Sequence, residues 1–385
     1  MDDVQNGFGA ESGADAASVV SLVHACAKRT PGAPALRWLG EPLGKGEEVW
    51  SYRAMWGASC AAASKLRALV GPRLSKTVEV CVGDMPLKVG LMVTEGTALP
   101  LLELAILLNS WAIVPLDPEE PAARLRLVLE DAGPLAAILV DDAHKSAATE
   151  LLAGLTTGVS AGFSDSRASG YAANDGLSTS CHRGNCAVQK QVASQLPLLV
   201  QPYELLPTEP GHAQEMDFEE PELRPSGASV SHVFYTSGST GRPKGCVCTH
   251  ANLAAYCLAK NAAHQVGLDS VVFVASAHTF DPSLGDFMAT WASGGCVAMA
   301  PRRILGAALG ACLRQLQATH LLTTPAHFAT IEASSSSVTG PADLPQLQVV
   351  ALGGELMSQQ IVDTWASSHV RLLNTYGVTE CTVYQ

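Results

Sequence analysis

Tyr235-Thr236-Ser237-Gly238-Ser239-Thr240-Gly241-Arg242-Pro243-Lys244-Gly245 is the stretch on which the reading of this chain turns. Its eleven residues hold four Ser/Thr hydroxyls, three glycines and one lysine. An apolar, strand-like run (Val233-Phe234-Tyr235) leads into it, and a helix-like run comes after it. Glycines let backbone N–H groups approach an anion, and hydroxyls add donors. Lys244 adds a point charge suited to a phosphate. The residues therefore point to a loop that cradles phosphate groups. It is not a P-loop, because Lys244 follows Pro243 and precedes Gly245 and the glycine spacing differs. A flexible Ser/Gly turn is the plain alternative. The lysine placement and the strand-like lead-in argue against it.

The other bounds are compositional. A chain of 385 residues can bury a large core in two or three subdomains. Its apolar fraction is 47 % and its charged fraction 16 %, which excludes a disordered chain. A net charge of −12 excludes a nucleic-acid binder with a basic face. The first residues carry Asp2, Asp3, Glu11 and Asp15 with no basic and apolar leader pattern, so a cytoplasmic protein is expected. The apolar run from Ala98 to Leu116 is broken by Pro100, Glu103 and Asn109, so it reads as a buried helix and strand, not a membrane span. The 11 cysteines are scattered and do not suggest a disulfide framework. Cys181-His182-Arg183-Gly184-Asn185-Cys186 lacks a second ligand pair and reads as a loop. Cys246 and Cys248 read as small buried residues on a strand.

In chain order, residues 1–16 read as a mobile polar tail and 17–385 as the folded portion. Helical spacing runs from Ala17 to Ala27 and stops at Pro31. Residues 35–38 and 48–52 form a hairpin pattern, and Ser51 is placed to cap a helix over Tyr52–Val70. Strands are expected at Val78–Val82, Trp111–Pro115 and Ala136–Val140, with a leucine-rich helix near 100–110 and a helix capped near Asp117. Residues 156–192 are Ser/Gly/Ala-rich and read as a low-complexity insertion; residues 204–229 read as an acidic, proline-rich, solvated connector. After the opening loop a helix runs from Thr249 to about His264. Strands are then expected near 271–275, 296–300, 320–324, 347–352 and 370–373. Alternating strands and helices give an α/β fold with largely parallel sheets. Four strands end in polar or glycine-rich turns, at Thr236, His278, Gly353 and Asn374. Ligands in such folds bind beyond the carboxyl ends of strands, so one site is expected there.

Four motifs occur in fixed order: the Ser/Thr/Gly loop, Thr279-Phe280-Asp281-Pro282-Ser283, Leu352-Gly353-Gly354-Glu355 and Asn374-Thr375-Tyr376-Gly377-Val378-Thr379-Glu380. Each alone could be a turn, with Asp281 or Ser283 as a helix cap. Together they resemble the adenylate-forming (AMP-binding) superfamily, in particular the adenylation domains of nonribosomal peptide synthetases and the β-alanine-activating enzymes. "W-S-Y" at 50–52 and "P-L-D-P-x-x-P-x-x-R" at 115–124 resemble that family's first core motifs. The resemblance covers Trp38 to Gln385, the insertion excepted.

It implies the N-terminal core of an adenylate-forming enzyme: two packed, mostly parallel sheet subdomains flanked by helices. It implies that Thr236, Ser237, Gly238, Ser239, Thr240, Gly241 and Lys244 hold the β- and γ-phosphates of ATP. Gly353, Gly354 and Glu355 would line the adenine side, Asn374, Thr375 and Gly377 would border the base, and Tyr376 would stack on it. Thr379 would reach the α-phosphate and Glu380 would ligate Mg²⁺, so that Lys244, Thr379 and Glu380 carry the catalysis. Asp281 matches the position that pairs with a substrate α-amino group. Phe280, Thr375, Val383 and Tyr384 would line the side-chain pocket, with Pro282 and Gly285 near them. The implied reaction activates a small amino acid or carboxylic acid with MgATP and hands it to phosphopantetheine on a separate carrier domain, in cis or in trans. The family's C-terminal lobe has no counterpart in these residues, so this chain alone is expected to be weakly active or inactive. An acyl- or aryl-CoA ligase and a non-catalytic nucleotide-binding remnant are the alternatives. Neither a nucleic acid nor a membrane is implied as a partner.

Overall fold

A computed structural model describes residues 18–40, 43, 46–73, 86–158, 196–207, 210–215, 225–238, 241–333 and 338–384. The described strands are β1 (Pro34–Leu39), β2 (Glu47–Ser51), β3 (Lys88–Met92), β4 (Ala112–Pro115), β5 (Ala137–Val140), β6 (Leu198–Val200), β7 (Val230–Thr236), β8 (Lys244–Thr249), β9 (Val271–Val274), β10 (Cys296–Met299), β11 (His320–Thr323), β12 (Val349–Gly353) and β13 (Arg371–Thr375). They form two sheets, ordered β13-β12-β11-β9-β10-β1-β2 and β6-β5-β3-β4-β7-β8. All neighbours are parallel except β1–β2 and β7–β8, the two hairpins at one edge of each sheet. This is the mostly parallel α/β architecture expected from the alternating pattern.

The layers follow from strand alternation, since successive side chains point to opposite faces. Leu36, Val297, Met299, Val89, Leu91, Ile113 and Leu139 face a shared core between the sheets. That core is filled by helices Val19–Arg29, Tyr52–Val70, Ala98–Leu108, His250–His264 and Asp281–Ser293. Phe273, Ala298 and Val350 face outward onto helices Arg302–Gln315, Pro325–Ala333 and Gln359–Trp365. Met92, Val114, Ile138 and Val140 face outward onto helices Ala122–Ala132 and Lys145–Gly158. Helix Ala98–Leu108 is buried on every side, which is why it is apolar all round and reads superficially like a membrane segment. No described helix is long and apolar enough to cross a membrane. Its Glu103 is fully buried, both carboxylate oxygens lack a partner, and burial pushes its carboxyl well above the usual range.

Local signals set several boundaries. Ser51 Oγ accepts from the Ala54 N–H and starts helix Tyr52–Val70 as expected. Thr249 and Asn252 form a capping box for helix His250–His264. Three local expectations are corrected. The Ser/Thr/Gly loop leads into strand β8 and not into a helix, which starts only at His250; a β-hairpin returns to its own sheet before the chain can turn. Asp117 does not cap the next helix. Its Oδ1 accepts from the Glu119 N–H, while Pro121 precedes helix Ala122–Ala132 without a side-chain cap. The acidic connector is partly structured: short helices Pro202–Leu205 and Pro210–Glu215 bury Leu205, Leu206 and Ala213 against the inter-sheet core. The expected strand at Val78–Val82, residues 1–16 and the Cys181–Cys186 cluster lie outside the described residues. Of the 156–192 stretch, only 156–158 is described, as the end of helix Lys145–Gly158.

Candidate active site

The predicted residues come from both sheets, not one. Thr236 ends β7 and pairs with Lys244, the first residue of β8, so the Ser/Thr/Gly stretch is the tip of a hairpin on the six-stranded sheet. Gly238 and Gly241 have φ of +59° and +74°, and the Gly241 N–H donates to the Gly238 carbonyl at 3.2 Å. A Cβ at Gly238 would lie 2.3 Å from the Arg242 carbonyl oxygen. The tip thus depends on glycine for its backbone path. Ser237 and Lys244 are exposed, whereas Ser239 and Thr240 lie outside the described residues. Among the described residues strand β8, not a helix, follows the tip, so its suitability for phosphate rests on backbone donors, hydroxyls and the Lys244 ammonium.

The other motifs stand at carboxyl ends of the seven-stranded sheet. Gly353 ends β12 and pairs with Thr375 of β13; a Cβ there would lie 2.3 Å from Thr375 Oγ1. Gly354, Glu355 and Asn374 are exposed. Glu355 Oε2 accepts the Ala326 N–H at 3.2 Å, which ties this turn to the start of helix Pro325–Ala333. The ring of Tyr376 is 76 % exposed, leaving its faces free for a flat ligand. Gly377 lies flat against the chain returning at Tyr384, where a Cβ would meet Tyr384 Cα at 2.2 Å. Thr379 and Glu380 form a single turn, Thr379–Cys381.

This last segment joins the two halves. Thr382 Oγ1 is 3.5 Å from Cys248 Sγ of β8. Burial, with the nearby Glu380 charge adding to it, pushes the Cys246 thiol up to about 11. The Val383 N–H donates to Asp281 Oδ2 at 3.0 Å. Asp281 is the first residue of helix Asp281–Ser293, not its cap, and is only 6 % exposed. Burial raises its carboxyl to about 6, against a lowering from the Val383 N–H, with Glu380 adding to the rise. No described lysine, arginine or histidine forms an ion pair with it. Val383 is buried and Tyr384 half-buried beside it. Phe280 does not share that pocket: it precedes the helix in an extended conformation and is 63 % exposed.

The sequence reading places helix His250–His264 but not the side chains that it packs behind Asp281. On helix His250–His264, Tyr256 packs edge-to-face on Tyr384, His264 Nε2 lies 3.1 Å from Tyr384 Oη, and Lys260 forms a buried ion pair with Asp286. Nothing in the sequence marks these residues, because Lys260 and Asp286 are 26 positions apart and meet only when the two helices pack. A cleft of about 700 Å³ also opens between the sheets, beside Glu95, Asp117, His278 and Arg302. Arg302 and Glu95 bridge it at 3.8 Å.

The residues fit a bound nucleotide. A glycine-dependent tip with a lysine, an exposed aromatic ring and an exposed carboxylate suit triphosphate, base and metal respectively. Among the described residues no group of three or more His, Cys, Asp or Glu could hold a metal ion. Glu380 offers one exposed carboxylate, a hard oxygen donor of the kind that Mg²⁺ takes.

Comparison with known proteins places the chain in a family. The profile of the AMP-binding enzymes matches residues 23–384, so the chain belongs to that family, the adenylate-forming ligases. Among its relatives is the NRPS-like tryptophan epimerase fscC of Fusarium equiseti, 27 % identical over 347 residues, covering 89 % of this chain and 19 % of the relative. Nonribosomal peptide synthetase inpB of Emericella nidulans is 29 % identical over 280 residues, covering 73 % of this chain and 10 % of the relative. The chain thus spans a fifth or less of the length of these curated relatives. Among solved structures, the nonribosomal peptide synthetase FmoA3 bound to AMPPNP superposes with a TM-score of 0.67 at 17 % identity, over 98 % of this chain and 33 % of that one. VinN in complex with L-aspartate gives 0.66 at 16 % identity, over 96 % and 78 %. At these identities the likeness concerns the fold.

Proposed function

We propose that this chain activates an amino acid as its adenylate, as part of a nonribosomal-peptide-synthetase-like enzyme. The observation that carries the reading is Asp281. A carboxylate this buried, with no ion pair to any described lysine, arginine or histidine, is costly unless a positive ligand arrives. A substrate ammonium is such a ligand. The substrate carboxylate then attacks the α-phosphorus of ATP. The bond between the α-phosphorus and the bridging oxygen breaks, pyrophosphate leaves, and an acyl–phosphate bond forms. Lys244 and the hairpin tip hold the β- and γ-phosphates and take up leaving-group charge. Thr379 orients the α-phosphate, and Tyr376 and the turn at Gly353 position the base. A Mg²⁺ held with Glu380 would supply further charge neutralisation. A phosphopantetheine thiol on a carrier domain would accept the acyl group with release of AMP. We further propose that 17–385 acts as the nucleotide-binding portion of that enzyme, with 156–192 as an insertion.

The test is ATP–pyrophosphate exchange over paired amino acids and their des-amino analogues. Exchange with the amino acids only, lost in Asp281→Ala while ATP binding persists, is expected. Equal exchange with des-amino acids would instead favour the acyl- or aryl-CoA ligase.

A further inference from the structure

We propose that Tyr256 is the size-selecting wall of the substrate pocket and that this chain takes an amino acid with a small side chain or none. The inference rests on the reading of Asp281 as the ammonium partner. Gly285 lies one helical turn beyond Asp281, on the same helix face. A glycine there would ordinarily leave room beside the carboxylate. Here the room is taken. A Cβ at Gly285 would lie 2.7 Å from Tyr256 Cε1 and 3.1 Å from Val383 Cγ2. The Tyr256 ring therefore occupies the space that the missing side chain vacates.

The wall is held from several sides. Tyr256 is buried, and its ring meets Tyr384 edge-on at 5.4 Å and 84°. Tyr384 in turn stacks on His264 at 5.8 Å and is hydrogen-bonded to its Nε2. One turn beyond Tyr256, Lys260 forms its buried ion pair with Asp286, and Asn261 Nδ2 donates to the Ala289 carbonyl at 2.7 Å. These contacts pin helix His250–His264 to helix Asp281–Ser293, so the backbone that carries the buried ring is held in place. The Val383 N–H on Asp281 closes the remaining side. A side chain reaching from the bound ammonium toward Gly285 would strike the Tyr256 ring.

The experiment uses non-hydrolysable sulfamoyl analogues of glycyl-, alanyl-, leucyl- and phenylalanyl-adenylate, titrated calorimetrically into the full chain. This requires no turnover. The wild type should bind the glycyl and alanyl compounds at least ~10-fold more tightly than the leucyl one, the scale of one or two misfitting methylenes. Tyr256→Ala should raise leucyl affinity by at least ~10-fold and remove that preference. Tyr256→Phe should keep the wild-type order, because size and not the hydroxyl is selected. Tyr256→Leu, which keeps the core filled, serves if the alanine variant unfolds, and it should shift the order the same way. An unchanged order in the folded alanine or leucine variant, or a wild type that prefers the leucyl compound, overturns the proposal. Failure of the parent reading looks different. If des-amino acyl analogues bind as tightly as aminoacyl ones while Tyr256→Ala still changes size preference, Asp281 has lost its role and the wall stands. If no acyl arm adds affinity to adenosine sulfamate, both fall.

Discussion

The hairpin tip at Ser237–Arg242 and the surroundings of Asp281, which we propose serve one site, are built in opposite ways. Ser237, Gly241, Arg242 and Lys244 are exposed and close in sequence, on a backbone path that depends on glycine; the groups proposed to hold phosphate are N–H groups, hydroxyls and one lysine. The pocket is buried and non-local; its parts come from helix Asp281–Ser293, helix His250–His264 and the segment after Glu380. A phosphate is bulky, highly charged and common to all substrates of such a family, so a solvated cradle suffices for it. An ammonium with a small side chain must be told apart from other ligands, which requires desolvated groups in fixed positions.

Gly377 is where the two regions can be broken together. Its Cβ would fall 2.2 Å from Tyr384 Cα, a backbone clash that cannot relax by a side-chain rotation. Gly377→Ala should displace the segment carrying Thr379, Glu380 and Val383, and lower both ATP and amino-acid affinity by at least ~100-fold, since such clashes cost several kcal/mol. Calorimetric titration of each ligand checks it. A loss confined to one ligand would show that the segment does not couple the regions.

A pH titration should divide the two regions. Asp281, raised to about 6, is neutral below that pH and charged above it. Amino-acid affinity should therefore fall about tenfold per pH unit below 6, while ATP affinity follows only the ionisation of its own phosphates. Asp281→Asn should flatten the amino-acid profile at its low level. The stability sign is opposite. Without ligand, the native state holds this proton more tightly than the unfolded one. The associated stability is present below the ordinary carboxylate range and is lost as pH rises through about 6. Thermal unfolding should thus show Asp281→Asn gaining on the wild type between pH 4 and 6 and holding that gain above. A flat difference would place Asp281 in contact with water.

At the tip, Gly238→Ala combines a φ of +59° with a 2.3 Å approach to the Arg242 carbonyl. It should weaken ATP binding by ~10- to 30-fold, about 1–2 kcal/mol of left-handed strain per residue. Amino-acid-dependent features such as the pH profile should survive it. Equal loss of both would mean that the tip and the pocket are not separable. The smallest effect is expected far from either. Glu103 sits unpartnered between the sheets. Glu103→Leu should raise stability by about 1–3 kcal/mol, the cost of an unsatisfied buried polar group, without changing either affinity. Chemical denaturation measures the gain, and a loss would reveal a role for the carboxyl in packing.

How legible each part was depends on the same contrast. The helix cap Ser51, the helix start next to Thr249, the β1–β2 hairpin and the strand ends could be read because a cap or a turn is decided by a few adjacent residues. The Ser/Thr/Gly tip reads as a phosphate cradle for that reason, and the strand after it shows only in the alternation of Cys246 and Cys248, the two buried residues of Lys244–Thr249. Asp117 misled because an acid before a helix has two local uses, a cap or a turn, and only the backbone path at Pro121 chose between them.

The sequence by itself determined the α/β class, the alternation of strands and helices and the motifs proposed to meet a nucleotide, because these rest on periodicity and on short motifs with local chemistry. Only the tertiary structure decided that the motifs lie on two sheets, that the segment after Glu380 joins them, that Phe280 faces out, and that Tyr256 fills the space beside Gly285. Those outcomes depend on how helices His250–His264 and Asp281–Ser293 pack. Contacts between residues far apart in the chain leave no pattern in either stretch alone.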